Sequence, residues 1–327
     1  MKKVLLFIVF FYSGFLMAQS PLLVAVQQQY DSVVVFDLVS KQKRVSAKVG
    51  FKPHEVTYDA VTKKCFISNF GLEDYDLKIG KTGNTISVFD PFTGEILKPL
   101  YTAADTSVHN GPHGIKVRPG KHRELFVNTE IGGDAMMVYD INNYAVKRSF
   151  ALPQGTHNFI FSTNGDSLWV MSGLNGVYRI NTENGAVLSH VVLPSATRGV
   201  LAAKQWLVAS CKNEVFLLSK KDLSIVKHFG NLQLKTGLIT YSNITNDQKY
   251  ILAPAPLDSV VLVIAVSNGQ VVHRLQTGNT PLNVQVDGTK AYVTHAYDDY
   301  IATIDLSNFT FTRYLKAYGT NGLVLAK

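Results

Sequence analysis

The sequence of 327 residues has little charge, only two cysteines and no long apolar segment beyond its N-terminal stretch. Charged residues make up 17% of the chain and hydrophobic residues 46%, a globular composition that argues against extended disorder and long coiled coils. Two cysteines are too few for a disulfide framework. The chain also lacks a Gly-rich phosphate loop, a Gly-x-Ser-x-Gly elbow and a His-Glu-x-x-His motif. These absences disfavour classical serine hydrolases and zinc peptidases.

The N-terminal stretch has the pattern of a signal peptide. Two lysines precede an almost uncharged apolar run at 4–17, and Ala18 supplies the small residue that a signal peptidase needs. The run is shorter than the about 20 apolar residues of a membrane-spanning helix. We therefore predict that residues 1–18 are cleaved and that residues 19–327 form a single exported domain. This domain would be periplasmic or secreted and would have no membrane span.

Positive charge is in modest excess, with 32 basic and 24 acidic residues and a net charge of +8. The densest basic runs, 41–44 and 116–123, are short and lack the interleaved aromatic residues of a nucleic-acid groove. An electrostatic nucleic-acid binder would need the charge on one face and would show steep salt dependence. We therefore disfavour nucleic acid as a partner.

A repeat of about 40 residues is the main signal of the fold. A unit of two apolar residues, a polar residue and a turn recurs, and a short apolar strand precedes most copies. The equivalent positions are Asp37, Asp90, Asp140, Asn181, Ser219, Ala265 and Asp305. Short β runs separated by Gly, Asn and Asp turns at this period are typical of a β-propeller with four strands per blade. Seven copies predict an all-β, seven-bladed β-propeller.

The chain starts out of phase with this repeat. Residues 22–28 match the second strand of a blade, whereas the missing innermost strand is found at the C-terminus, at 322–325. We expect the C-terminal strand to pair with the N-terminal strands and close the ring, which leaves no open sheet edge. Blade one is numbered here from Pro53. Cys65 in blade one and Cys211 in blade four would then lie beyond the Cα separation of about 7 Å that a disulfide allows.

Two pairs of segments resemble the YVTN-type propeller family of surface-layer and periplasmic proteins. Ala-Tyr-Val-Thr at 291–294 is followed by Ile-Ala-Thr-Ile-Asp at 301–305, and Gly-Pro-His-Gly-Ile at 111–115 by Phe-Val-Asn-Thr-Glu at 126–130. The resemblance spans essentially all of the mature chain, although blades four and five, about 198–276, keep little of the motif. It implies the propeller architecture. It leaves the activity open, because the family includes binding proteins and is similar to lactonase and lyase propellers.

One side chain near the start of each innermost strand is expected to line one mouth of the central channel. Counted from Val56 and its equivalents, these ring positions are His54, His113, His157, Arg198, Gly237, Leu282 and Asn321. Three neutral imidazoles form a catalytic zinc ligand set if their nitrogens approach within about 2 Å of one ion. We therefore predict a site for Zn or another divalent metal at His54, His113 and His157.

Further site residues are predicted at the same mouth. Arg198 would anchor a carboxylate or a developing oxyanion. Glu130, at the end of a second strand, is the candidate general base. The candidate ligand-binding residues are His295, Asn321 and Asn128.

Two long loops, 71–84 and 103–110, flank this mouth, and long loops on a repeated scaffold commonly carry binding function. Two functions fit these features. The first is a monomeric binding module that presents the channel-mouth face to a small molecule, a glycan or a protein. The second is a metal-dependent lyase or lactone hydrolase centred on the three histidines, similar in layout to the amidating lyases, which are propellers with a His-bound zinc. A third interpretation gives the histidines and Arg198 no role beyond lining a water-filled channel, so enzyme activity stays open.

Overall fold

The computed structural model of the protein describes residues 20–73, 76–120 and 123–327. The predicted signal peptide lies outside these described residues. Within them the chain is almost entirely β-structure, with two short 3₁₀ helices at Gln28–Tyr30 and Pro256–Asp258. No helix in the described ranges is long and apolar enough to cross a membrane.

The strands vary in length from two to seven residues. In the first half of the chain they are β1 (Leu22–Gln27), β2 (Ser32–Asp37), β3 (Lys43–Lys48), β4 (Pro53–Asp59), β5 (Lys64–Asn69), β6 (Leu72–Glu73), β7 (Asp76–Gly80), β8 (Thr85–Phe89), β9 (Leu100–Tyr101), β10 (Pro112–Val117), β11 (Glu124–Thr129), β12 (Ala135–Asp140), β13 (Val146–Ala151), β14 (Thr156–Phe161) and β15 (Ser167–Ser172). In the second half they are β16 (Gly176–Asn181), β17 (Val187–Val191), β18 (Gly199–Ala202), β19 (Trp206–Ser210), β20 (Val215–Ser219), β21 (Ile225–Phe229), β22 (Asn243–Ile244), β23 (Tyr250–Ala255), β24 (Val260–Ala265), β25 (Val271–Gln276), β26 (Pro281–Asp287), β27 (Lys290–His295), β28 (Tyr300–Asp305), β29 (Thr310–Lys316) and β30 (Thr320–Ala326).

These strands form seven four-stranded antiparallel blades in a ring, which confirms the predicted fold. Blade one comprises β4, β5, β8 and β9, and blades two to six take four consecutive strands each, from β10 to β29. Blade seven is completed from both ends of the chain: β30 is its innermost strand and pairs with β1, placing Leu22 opposite Ala326. The predicted ring closure is therefore correct. Strands β6 and β7 form a separate hairpin inserted between β5 and β8.

Burial depends on the position of a strand in its blade. The middle strands bury both faces because each sheet packs between two neighbours, and all six residues of β24 are buried. Along an outer strand, exposed residues alternate with half-buried ones, as in most of β3. The core lies between the blades, as where Phe66 of blade one packs in one cluster with Ile115 and Val127 of blade two. This packing explains why the middle strands are near-continuous apolar runs in the sequence.

Both cysteines belong to this core. Cys65 and Cys211 are buried and form no disulfide, as predicted. Burial raises the pKa of both thiols, that of Cys211 to about 11. A thiol with a raised pKa is a poor nucleophile, so the two side chains act in packing.

Truncation of the chain after Gly319 should open the ring. It would remove β30, leave the edge of β1 unpaired and expose the partners of the buried Leu323 and Ala326. We expect the cooperative thermal transition to be lost and the protein to elute as aggregates, as measured by circular dichroism and size-exclusion chromatography. Deletion of Lys327 alone, an exposed residue beyond the strand, is the control. A truncated chain that melts like the full-length protein would show that closure is dispensable.

Candidate functional site

The three predicted metal ligands lie at irregularities of the innermost strands. The register against the second strand shifts near the start of β4, β10 and β14, and each shift contains one histidine: His54, His113 or His157. A β-bulge bends its strand and re-aims a side chain. In blade one the backbone amide of Glu55 donates to Oγ of Ser68 at 3.2 Å, and this hydroxyl donates to the carbonyl of His113 at 2.5 Å. The bulges of neighbouring blades are thus linked by hydrogen bonds.

The three imidazoles form one row across blades one to three. The ring centroids of His54 and His113 are 4.0 Å apart, and those of His113 and His157 are 4.3 Å apart. All three side chains are buried. The ring of Phe70, which follows β5, lies edge-on to that of His113 with centroids 5.0 Å apart. The ring positions of these three blades therefore converge as the sequence predicted.

Glu130 joins two of these histidines in a candidate metal centre. Its Oε1 lies 3.0 Å from Nδ1 of His157 and 3.4 Å from Nδ1 of His113. Ligand atoms bonded to a tetrahedral zinc ion are about 3.3 Å apart, close to both separations. The three residues offer ligand atoms that all lie within 4.8 Å of one another. Two imidazoles and one carboxylate would leave a coordination position for water or a ligand.

This grouping differs from the predicted one. His54 lies beside the group, with its ring on His113 and its Nδ1 3.9 Å from Oε1 of Glu55. Glu130, predicted as a general base, is placed where it could supply a ligand atom, and a carboxylate bound to an ion would lose most of its basicity. The ligand role of His54 and the base role of Glu130 therefore stay predictions.

Arg198 lies at the junction of two cavities, and His157 lines both of them. The first cavity has a volume of about 300 Å³ and is also lined by Lys212. Apolar side chains complete its wall: Ala196, Leu238, Leu257 and Leu282. Two cationic residues beside an apolar wall favour an anion that carries a hydrocarbon part.

The second cavity, of about 350 Å³, has a different lining. Glu130 and Asp134 contribute carboxylates, while Phe70 and Leu77 contribute apolar surface. Leu77 belongs to the inserted hairpin, which thus reaches the mouth. Burial raises the pKa of Asp134, although the backbone amide of Gly155 donates to its carboxylate. The cavity is therefore less favourable to anions than the first.

The two long loops predicted to flank the mouth contact each other. Nδ1 of His109 lies 2.7 Å from the carbonyl oxygen of Thr82, and the backbone amide of Gly111 donates to the carbonyl of Gly83. The hairpin is also tied to the ring, because Nζ of Lys52 lies 2.8 Å from the carboxylate of Glu73. Residues 74 and 75, part of this insertion, lie outside the described residues.

The three predicted ligand-binding residues are buried and line neither of the two cavities. Nδ2 of Asn128 donates to the carbonyl of His157 at 3.4 Å, and Nδ2 of Asn321 donates to Oε1 of Gln28 at 3.3 Å. The ring of His295 is fully buried, 5.1 Å from that of Tyr300. Their assignment as ligand-binding residues stays a prediction.

Tyr241 is a site residue that the sequence did not reveal. Its hydroxyl lies 3.4 Å from Nε2 of His157, and it lines the first cavity. Counting placed Gly237 at the ring position of blade five, but β22 has only two residues and Asn243 pairs with Leu252. The innermost strand of blade five is therefore too short for the counting used in blades one to three, and no repeat motif marks Tyr241, which lines the cavity together with Gly237.

Comparison with known proteins shows the fold. No protein-family model matches the chain, and neither does any curated protein. Hydrazine synthase from Kuenenia stuttgartiensis is similar with a TM-score of 0.72 and 16% identity over 86% of this chain and 91% of that one. A functionally unknown protein from Desulfotomaculum acetoxidans has a TM-score of 0.71 and 10% identity over 94% and 99%. The dihydro-heme d1 dehydrogenase NirN has a TM-score of 0.65 and 14% identity over 93% of this chain and 74% of that one. No family match supports the YVTN-type assignment.

His295 should make the fold sensitive to acid. Burial lowers its pKa from 6.5 to about 4, so between these values the unfolded chain binds a proton that the folded chain does not. Its contribution to stability is complete above pH 6.5 and is lost as the pH falls toward 4, by about 3 kcal/mol. Urea unfolding at pH 7 and pH 4.5 should therefore show a smaller loss of stability for His295→Gln than for wild type.

The matched control is His273→Gln, which replaces an exposed histidine on the outer strand β25. It should lose as much stability in acid as wild type. Equal losses in all three proteins would contradict the assignment to His295.

Proposed function

We propose that the chain is an exported binding protein that holds a divalent metal ion at the mouth of its channel and binds a small organic anion beside it. The observation that carries the proposal is the approach of Glu130 Oε1 to Nδ1 of both His113 and His157, at 3.4 and 3.0 Å. Export rests on the signal-peptide pattern of residues 1–18. The YVTN-type assignment rests on the sequence motifs, and we propose a monomer.

The donor set selects the class of metal. Imidazole nitrogens suit zinc and other transition metals, whereas all-oxygen sites suit magnesium and calcium. Two histidines with one glutamate therefore favour Zn or a similar divalent ion. His54, whose ring is tilted by 39° to that of His113 with centroids 4.0 Å apart, is a fourth side chain close enough to orient or extend the set.

The anion would enter the first cavity. A guanidinium binds a carboxylate through two parallel hydrogen bonds, so Arg198 can fix the orientation of the ligand. Lys212 adds a second positive charge, and the leucine side chains contact the hydrocarbon part. The volume of about 300 Å³ limits the ligand to a small molecule. Larger partners, a glycan or a protein, would have to contact the outer face of the mouth.

A metal-dependent lyase or lactone hydrolase is the second candidate. The supporting observation is the number of protein ligands, since catalytic zinc sites keep three and leave one position open. An ion there would polarise a carbonyl or lower the pKa of a bound water. Arg198 would stabilise a developing oxyanion, and the hydroxyl of Tyr241 lies close enough to His157 to position its ring.

Metal content tests the centre directly. After zinc loading and dialysis, wild-type protein should retain about one zinc per chain by elemental mass spectrometry. His113→Ala should lose the metal because two ligands cannot hold it, and Glu130→Gln should lose most of it. His273→Ala, at an exposed position, should retain it.

The same measurement separates the possible ligand sets. Stoichiometric zinc in Glu130→Gln would favour the three-histidine set with Glu130 as a base. A wild-type protein that retains no zinc would overturn the proposed metal centre.

Anion binding tests the role of Arg198. Phenylacetate carries a carboxylate and a hydrocarbon ring, and its binding to zinc-loaded protein can be measured by calorimetry. Arg198→Ala should bind it about 10- to 100-fold more weakly, the loss expected for a charged hydrogen-bonded pair. Its zinc content should not change. Arg44→Ala, at an exposed position of the outer strand β3, is the control. Equal affinity in wild type and Arg198→Ala would refute the anchoring role.

A further inference from the structure

A third cavity opens at the rim of the same face, between blades six and seven. It has a volume of about 420 Å³ and lies among the loops at 28–30, 296–299 and 318–319. These loops follow β1, follow β27 and precede β30, so they leave the ring on the side of the metal cluster. The residues that line the cavity and carry the argument are Gln29, Tyr30, Tyr297, Asp298, Asp299 and Tyr318.

Three of the residues that line this cavity are exposed tyrosines. Tyr30, Tyr297 and Tyr318 are 50%, 49% and 44% exposed. The rings of Tyr30 and Tyr318 have centroids 6.1 Å apart and an interplanar angle of 61°, so they form a corner. The hydroxyl of Tyr297 donates to the carboxylate of Glu73 at 3.0 Å, which anchors the third ring to the inserted hairpin. Exposed aromatic rings gathered in a concave site are typical of a binding site.

The charge of the cavity selects the ligand. In the described part of the chain, neither Asp298 nor Asp299 carries a carboxylate within 4.0 Å of a Lys, Arg or His nitrogen. Asp298 accepts a hydrogen bond from the backbone amide of Asn279, which leaves Asp299 as the carboxylate without such a structural task. Asp298 and Asp299 are the charged residues of the lining, and three lysines lie at its edge: Lys48 contacts the carbonyl of Tyr30, Lys52 the side chain of Gln29 and Lys316 the ring of Tyr318. The carboxylates of the lining attract cations.

The rings favour the same sign of charge. A cation within about 6 Å of a tyrosine centroid is attracted by the negative face of the ring. The chain itself provides an example, since Nζ of Lys316 lies 5.8 Å from the centroid of Tyr318. Tyr30 and Tyr318 both line the cavity, so a cation bound there meets two rings, one of which Lys316 also contacts.

We propose that this tyrosine cavity binds a cationic organic ligand through an ammonium group, either quaternary or that of a lysine side chain. The rings contact the ammonium and its methyl or methylene groups, and Asp299 balances the charge. The site is independent of the metal centre and of the anion cavity. It would remain if either of those proposals failed.

Choline is a suitable probe because 3,3-dimethylbutan-1-ol has nearly the same shape without the charge. Calorimetry should show saturable binding of choline to the full mature chain, with or without zinc, and no binding of the neutral alcohol. Tyr318→Leu and Asp299→Asn should each weaken choline binding at least 10-fold, since each removes one of the two interactions. The conservative Tyr318→Phe should retain most of the affinity.

Tyr101→Leu is the matched control. Tyr101 is 38% exposed on the outer strand β9 of blade one, away from the cavity, and its replacement should leave choline binding unchanged. Thermal unfolding of each variant checks that the ring is intact. Equal binding of choline and the neutral alcohol would overturn the proposal by showing an apolar site. Binding of maltose without choline would overturn it in favour of a glycan site, and no choline binding by folded wild type would also overturn it.

Discussion

The pairing of β30 with β1 is the constraint on which the site depends. Each blade directs its innermost strand at the axis only while the ring is closed, and closure here uses main-chain hydrogen bonds between the two ends of the chain. The imidazoles of blades one to three, far apart in sequence, then stand with centroids 4.0 and 4.3 Å apart. The energy that holds them together comes mainly from the apolar cores between the blades. The site itself is therefore free to carry polar groups that contribute little to folding.

A strongly shifted pKa is a poor guide to function in this molecule. Burial alone would raise the pKa of Glu124, yet hydrogen bonds from Arg148, Lys147 and Arg118 lower it to about 2. Arg118 also pairs with Glu183, so the cluster links blades two and three with its charges satisfied. Such a network stabilises an interface between blades. Glu130 differs, because its partners are imidazoles and its side chain borders a cavity.

The sequence predicted the fold well because the repeat is carried by strands that must bury both faces. It also predicted the row of histidines, since the bulge occurs at the same rank in blades one to three. Counting did not find Tyr241 in blade five, where β22 is only two residues long; Tyr241 lines the first cavity together with Gly237. The position of Glu130 near the imidazoles depends on the loop after β11, which has no repeat to align. The ring rank of Asn321 was counted correctly as an inner-strand position, but its side chain donates to Gln28 within blade seven.

The propeller topology explains why the candidate sites share one face. Every loop that precedes an innermost strand, and every loop between the second and third strands, leaves the ring on that side. The side chains on these loops are free of the alternating burial that constrains the strands, so charge can be distributed unevenly among them. At the axis, Arg198 and Lys212 line a cavity suited to anions. At the rim, Asp298 and Asp299 line one suited to cations. A single small ion cannot satisfy both, so the two proposed sites would take two different ligands, or one ligand with charged groups of opposite sign.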